Sequence, residues 1–495
     1  MGGQHSGGVL LAIDQGTTGS TALLLDERIR VLATCNVEFP NYFPSPGQVE
    51  HDPEEIWQSV GRAVEGALTK VGLPASAVRA VGITNQRETS LFWDRATGAP
   101  LQRALVWQDR RTTARCRALQ AAGREPWVHQ RTGLVLDPYF SGTKAEWMLD
   151  HHAGARERAA AGELCFGTVD SYLCWRLCGA HVTDPSNASR TLLFNLHHLA
   201  WSEELCDLLR VPIACLPRVA ASSEIYGTTR GVGFLPDGIP VAGLVGDQQG
   251  ALFGQACFTP GMAKSTYGTG AFVLLNTGAE PVLSSHGMLT TVGWTLRGHT
   301  TYALEGSAFI AGAAVQWLRD QLGFFRSAAE IEELAASVPD SGGVVFVPAF
   351  VGLGAPHWRP EARGILSGLT RGSHRAHIAR AALEGIAMQV GDILAAMVED
   401  LGRPLAELRV DGGAARNDLL MQIQADILGA VCVRPTVLET TALGSALLAG
   451  LAVGVWSGVD EVGSAWAEDR RFARLVAPEQ VARWRKTWAE AVAKA

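Results

Sequence analysis

The sequence predicts an α/β protein built as two related halves, each presenting a polar, glycine-bearing hairpin turn to phosphate. Three observations predict it. Apolar runs of strand length alternate with helical periodicities along most of the chain. Residues 10–26, LLAIDQGTTGSTALLLD, read as a strand, a tight polar turn and a returning strand. Residues 263–278, AKSTYGTGAFVLLNTG, repeat that pattern, and such self-similarity suggests a duplicated unit.

Composition narrows the class. A chain of 495 residues has room for two to four domains with real cores. With 47% hydrophobic and 18% charged residues it is globular. A net charge of −7 gives no electrostatic ground for nucleic acid. The nine cysteines include no CxxC pair, and Cys174 and Cys178 have no further ligand types nearby. They read as buried free thiols of a cytoplasmic protein. The leader MGGQHSGG lacks the basic residues and apolar core of a signal peptide. The most apolar helical run is taken as Thr441 to Trp456, short of the roughly 20 residues that span a bilayer. No membrane span is expected.

In the first hairpin, Gly16 and Gly19 permit positive φ, so backbone N–H groups can converge on an anion. Thr17 and Thr18 add hydroxyl donors. Asp14 would repel a phosphate unless a divalent cation lay between them. The turn therefore proposes a Mg-nucleotide site, with an ordinary polar turn as the alternative. Asp52 then caps a helix opening on Pro53, Glu54 and Glu55, with Ile56, Val60, Ala63, Ala67 and Val71 on its apolar face. A strand from Val78 to Thr84 delivers Asn85, Gln86, Arg87 and Glu88. Strands at Ser90–Trp93 and Ala104–Trp107, helices at Arg110–Ala121 and Lys144–His151, and a strand and helix over Leu164–Leu177 complete the half. The second half opens with a strand, Val241 to Gly246, and a helix reaching about Cys257. After the echo hairpin come a strand at Val344–Phe350 and a helix from about His374 to Leu401. A strand at Leu408–Val410 and helices at Leu419–Leu428 and Thr441–Val453 follow.

Four places carry chemistry. The first is the opening turn, and the second is Gly268-Thr269-Gly270, able to grip the same nucleotide from the other half. The third is VDGGAARND, residues 410–418, where glycines and a helix start at Asn417 offer room for a flat ring and free N–H groups. The fourth suits a small polyhydroxy substrate: Arg87 and Glu88 as donors and acceptors, Tyr139 with a hydroxyl, Trp107 and Phe272 as walls. Singly, an adjacent Arg–Glu is more often a solvated pair and such a Trp more often core. Asp247 ends the apolar strand VAGLVG, where a carboxylate points into a cleft and can accept a hydroxyl proton during phosphoryl transfer. A helix N-cap would equally place an Asp there. No GxxxxGK[ST], HRD, DFG or HExxH is present. Phosphatases with an Asp nucleophile want a second Asp where this chain has Gly16.

These residues lie in IDQGTTGS, GITNQRET, VWQDRRT, LDPYFSGTK, GDQQGALFGQ, STYGTGAF, QWLRD, FVPAFVGLGAPHW, DGGAARND and TALGSALLAGLAVG. With them the chain, from about Val9 to Trp456, resembles the glycerol kinases of the FGGY carbohydrate kinase family. IDQGTT alone is shared in form with actin-like and Hsp70-like ATPases. The resemblance implies two actin-like, ribonuclease-H-like domains, residues 1–253 and 254–495, around a central cleft. It implies glycerol held by Arg87, Glu88, Trp107, Tyr139, Asp247, Gln248 and Phe272, with Asp247 as general base. It places ATP on Thr17, Thr18, Gly19, Thr269, Gly312, Gln316, Gly413 and Asn417, and Mg²⁺ near Asp14 and Asp247. Gly312 and Gln316 come from the resemblance alone, as does a homodimer or homotetramer. An FGGY kinase for xylulose or gluconate, or an ATPase binding module, are the alternatives. Three departures stand out. Gly19 replaces a common Ser and Thr21 a common Arg, while Gly227–Pro240 matches neither a fructose 1,6-bisphosphate loop nor a phosphorylated-histidine segment.

Overall fold

The computed structural model describes residues 8–495, so nearly all of the leader lies outside the described residues. The first half is organised on a six-stranded sheet. Its order is Ser223–Thr228, Pro240–Gly246, Val78–Asn85, Val9–Gln15, Gly19–Leu25 and Val31–Glu38, so the strand expected to open the second half pairs within the first. The second half carries seven strands, in the order Leu289–Leu296, His299–Ala308, Ala271–Gly278, Met262–Tyr267, Glu407–Asp411, Cys432–Pro435 and Glu468–Phe472. The central strands correspond. In each sheet the hairpin and the next strand are antiparallel, and two parallel strands follow on the hairpin's other side. The repeat seen in the sequence is thus a repeat of topology. A small four-stranded sheet containing Ser90–Asp94 and Leu164–Thr168 stands beside the first.

Side-chain alternation divides each hairpin between two cores. Leu11 and Ile13 face a cluster under the helix Pro53–Val71. That helix is capped as its sequence requires, with the Asp52 carboxylate accepting from Glu54 N at 2.9 Å. Leu10 and Ala12 face the other way, onto Ala442, Ala446 and Ala449 of the helix Thr440–Ala452. That helix comes from the second half of the chain but covers the first sheet. Where it crosses the helix Asp247–Gly254 only glycine fits. A Cβ on Gly444 would lie 1.9 Å from Gly250 O, and one on Gly254 2.1 Å from Thr440 O.

The structure corrects several expectations. The run expected to be the most apolar is the helix Thr440–Ala452, too short to cross a bilayer as expected; among the described residues the helix with that length and hydropathy is Arg375–Leu401. It is apolar all round because its apolar window is 78% buried within the second half, and Arg375, Arg380 and Glu384 disguise its first turns. The strand predicted over Ala104–Trp107 stops at Leu105, where a turn closes from Asp109 N to Val106 O at 2.9 Å. The strand predicted over Val344–Phe350 is Val345–Val347, ended by Pro348, which lacks an N–H. All nine cysteines are free, with Cys174 Sγ and Cys178 Sγ 3.7 Å apart.

Candidate active site

On one side of the cleft, the strand Val78–Asn85 runs out into Gln86, Arg87, Glu88 and Thr89, all buried. Glu88 holds φ at 60°, a left-handed backbone that costs a non-glycine residue on the order of 1 kcal/mol. Arg87 and Glu88 are not a solvated pair, and they do not bond to each other. Glu88 Oε1 accepts from Arg190 Nε at 2.6 Å. Arg87 grips both oxygens of Glu305, with Nη2 to Oε1 at 2.9 Å, and also donates to Gln249 Oε1 at 3.2 Å and Tyr139 Oη at 3.5 Å. Its Nε lies 3.0 Å from Asp247 Oδ1, although the N–H does not point at that oxygen. Burial opposes the charge of Glu305, but Arg190 and Arg87 outweigh it and hold the carboxyl at about 2. Glu88 goes the other way: burial outweighs the same two arginines and raises it. Tyr139 is raised too, chiefly by burial. The Trp107 ring meets Tyr139 edge-on, centroids 5.6 Å apart, and its Nε1 donates to Thr17 Oγ1 at 3.0 Å. One residue expected to wall the substrate is thereby tied to the first hairpin turn.

Asp247 is the first residue of its helix, and Gly246 is the cap, so the carboxylate is not spent on capping. Oδ1 accepts from Gln248 N at 2.7 Å, while Oδ2 has no hydrogen-bond partner among the described residues. Gln248 Oε1 receives the Lys264 ammonium, which also donates to Thr266 Oγ1 at 2.9 Å. Burial pulls Lys264 down to about 8 against the nearby Asp411 and Asp247 charges. Phe272 opposes Thr266 across its hairpin, and Leu274 opposes both Lys264 and Glu305. Alternation therefore puts Lys264, Thr266, Phe272 and Glu305 on the face turned to the first half.

The side that carries the two hairpin turns is more open. The two predicted turns close alike: Gly16 N donates to Gly19 O, and Gly268 N to Gly270 O, each at 2.9 Å. None of these four glycines uses a positive φ. Gly19 and Gly270 provide space instead, since a Cβ on Gly270 would lie 2.6 Å from Ala308 O and one on Gly19 3.0 Å from Val37 O. Thr18 and Thr269 are exposed at the turn tips. Gly268 O accepts from Gly312 N at 2.9 Å, and Thr269 O accepts from Ala311 N at 2.8 Å, so the helix Gly312–Asp320 starts on the second turn. Gln316 lies one turn further, exposed. At the third motif Gly412 has φ 85° and passes so close to Tyr267 that a Cβ would sit 2.6 Å from its carbonyl oxygen, whereas Gly413 faces open space. Asn417 caps the helix Asp418–Leu428 through Leu420 N at 2.8 Å. Asp411 is occupied structurally, accepting from Gln255 and Thr440 at 2.7 Å each.

Asp14 sits where the two sides meet. Burial, then the charges of Asp247 and Glu439, push its carboxyl up to about 8. Such a carboxylate calls for a cation. Among the described residues no three His, Cys, Asp or Glu side chains gather to hold a metal alone. The oxygen donors at hand, Asp14 and Asp247, are of the kind that fits Mg²⁺. Thr21, opposite Asp14 in the hairpin, accepts from Asn36 Nδ2 at 2.9 Å, which fills the place of the expected arginine with a neutral pair.

No local motif in the sequence assigns a role to Arg190, Gln249, Lys264, Glu305 or Glu439. The available signal was a lone charge in an apolar strand, as in MAKSTY and YALEGSAF, since a buried charge demands a partner.

Comparison with known proteins gives consistent matches. Residues 9–254 match the N-terminal domain, and residues 263–453 the C-terminal domain, of the FGGY family of carbohydrate kinases. The chain is 59% identical over 483 residues to a glycerol kinase of Aromatoleum aromaticum, covering 96% of this chain and 97% of that one. It is 56% identical over 490 residues to a glycerol kinase of Myxococcus xanthus, covering 98% and 99%. Among solved structures it resembles Plasmodium falciparum glycerol kinase with ADP, at TM-score 0.93, 34% identity and 98% coverage of both chains. A gluconate kinase from Lactobacillus acidophilus shares the fold at TM-score 0.87 and 21% identity, covering 98% of this chain and 96% of that one.

Proposed function

Because the chain belongs to the FGGY family of carbohydrate kinases, we infer that it transfers the γ-phosphoryl group of ATP to a terminal hydroxyl of glycerol, giving sn-glycerol 3-phosphate and ADP. The observation that carries the mechanism is the half-anchored carboxylate of Asp247. Its Oδ1 is fixed by Gln248 N and faced by Arg87, which leaves Oδ2 to take the hydroxyl proton as the new O–P bond forms. Glycerol lies against Arg87, Glu88, Trp107, Tyr139, Gln248 and Phe272. Glu88, with Oε1 held by Arg190, offers its other oxygen to a substrate hydroxyl. The phosphates meet Thr17, Thr18, Gly19 and Thr269 at the two hairpin turns. The nucleoside runs past Gly312 and Gln316 toward Gly413 and Asn417, where the open space over Gly413 admits a flat ring. Asp14 and Asp247 would hold Mg²⁺, and the ion would supply neutralisation of the phosphate charge.

We divide the chain into an acceptor domain, residues 1–253, and a nucleotide domain, residues 254–495. Closure of the cleft then excludes water from the phosphoryl group. We place the enzyme in the cytoplasm, which suits nine unpaired thiols, as a homodimer or homotetramer whose size light scattering would read. The decisive experiment is ADP release with glycerol, dihydroxyacetone, xylulose, gluconate and no acceptor. Glycerol should give the highest kcat/KM, and equal rates with and without it would overturn the reading.

A further inference from the structure

Arg87 and Glu88 leave a strand of the first half, but the group that holds them belongs to the second. Glu305 stands on the strand His299–Ala308, opposite Leu274, and is buried to 2% exposure. It binds Arg87 through both oxygens, and its Oε1 also accepts from Arg190 Nη2 at 3.1 Å. Arg190 is wholly buried and passes the constraint on, with Nε 2.6 Å from Glu88 Oε1. Its Nη1 has no partner among the described residues, so this side chain is held by its two carboxylates and not by a saturated shell. Arg87 has its guanidinium turned to Glu305, Gln249, Tyr139 and Asp247 at once. Removing Glu305 would leave that planar fork with no second-half anchor and free to swing toward Asp247.

We propose that Glu305 is a positioning residue for acceptor binding: it holds Arg87 directly and Glu88 through Arg190, so the acceptor site is complete only when the second sheet is docked on the first half. The inference deepens the glycerol-kinase reading and rests on it for the acceptor's identity. A purely structural ion cluster would lower stability without separating the two substrates.

The test measures glycerol KM, ATP KM and thermal shifts with glycerol or a non-hydrolysable ATP analogue, in wild type, Glu305→Gln, Glu305→Asp and Arg190→Lys. Glu305→Gln should raise glycerol KM by roughly ten-fold or more and lose the glycerol-induced shift. Its ATP KM should stay within about two-fold, and the analogue's shift should persist. Glu305→Asp should recover part of the affinity. Arg190→Lys should reproduce the loss, because an ammonium cannot bridge two carboxylates as a guanidinium does; it carries the test if Glu305→Gln does not fold. Glycerol KM values within about two-fold of wild type, or both KM values rising together, would overturn the proposal, as would failure of both variants to fold. A wild type indifferent to glycerol fails the functional reading instead, and the same variants are then compared on whichever acceptor it uses.

Discussion

The two sides of the cleft are built by different rules. The acceptor side is a closed network: Arg87, Glu88, Arg190 and Glu305 are buried and bonded to one another. The side proposed for the nucleotide is two turns with exposed threonines, a glycine facing open space, and the carboxyl of Asp14. Their two carboxylates show the contrast. Glu305, between arginines, is held at about 2, while Asp14, pushed first by burial and then by the charges of Asp247 and Glu439, is driven up to about 8. A small neutral acceptor gains from a preformed site, because it brings few atoms to organise one. A charged nucleotide brings its own phosphates and metal, and completes its site on arrival.

That contrast breaks first at Asp247. Asp247→Asn should lower kcat by about 10³-fold while the thermal shifts with glycerol and with an ATP analogue both survive. Turnover within ten-fold of wild type would remove it as the base. Next comes Arg87→Ala, which should raise glycerol KM about 100-fold and cost about 3 kcal/mol of stability in a denaturant titration, because it strips Glu305 of its main partner. An unchanged glycerol KM would show that the network is scaffolding. Gly312→Ala probes the open side: its Cβ would lie 2.6 Å from Gly268 O and displace the second turn. ATP KM should rise about ten-fold and glycerol KM hold steady; the reverse would invert the assignment of sides.

The smallest effect concerns protons. With its carboxyl near 8 against an ordinary 3.8, ligand-free Asp14 holds a proton at pH 7 that an unfolded chain would not. The sign is therefore a loss of stability as pH rises from about 4 to 8. Mg-ADP binding at pH 7 should expel about one proton, read by calorimetry in buffers of different ionisation enthalpy, and Asp14→Asn should abolish that release. An equal count in both proteins would reject the metal-side role.

The sequence carried the hairpins, their pairing across the chain and Asp247, because each announces itself locally through glycine, periodicity or a strand end. It carried Trp107, Tyr139 and Arg87 as types but not as a constellation. Glu305 and Arg190 were illegible for a physical reason: their partners stand 218 and 102 residues away in the chain, and only the docked sheets bring them together. Gly16 and Gly19 do not use the positive φ expected of them, whereas Gly412 does take a left-handed turn. Positive φ can be guessed from a turn pattern, whereas room for a carbonyl at 2.6 Å depends on a neighbouring strand.

The helices Asp247–Gly254 and Thr440–Ala452 cross at Gly250 and Gly444, with the second roofing the first half's sheet. The halves are therefore interlaced like two hooks, and the cut that separates them in sequence does not separate them in space. A gene encoding the first half alone would leave Leu10, Leu23, Ala80 and Val245 facing water. The glycines at the crossing act as a shared axle: a Cβ on Gly444 would meet Gly250 O at 1.9 Å, so neither helix can change there alone.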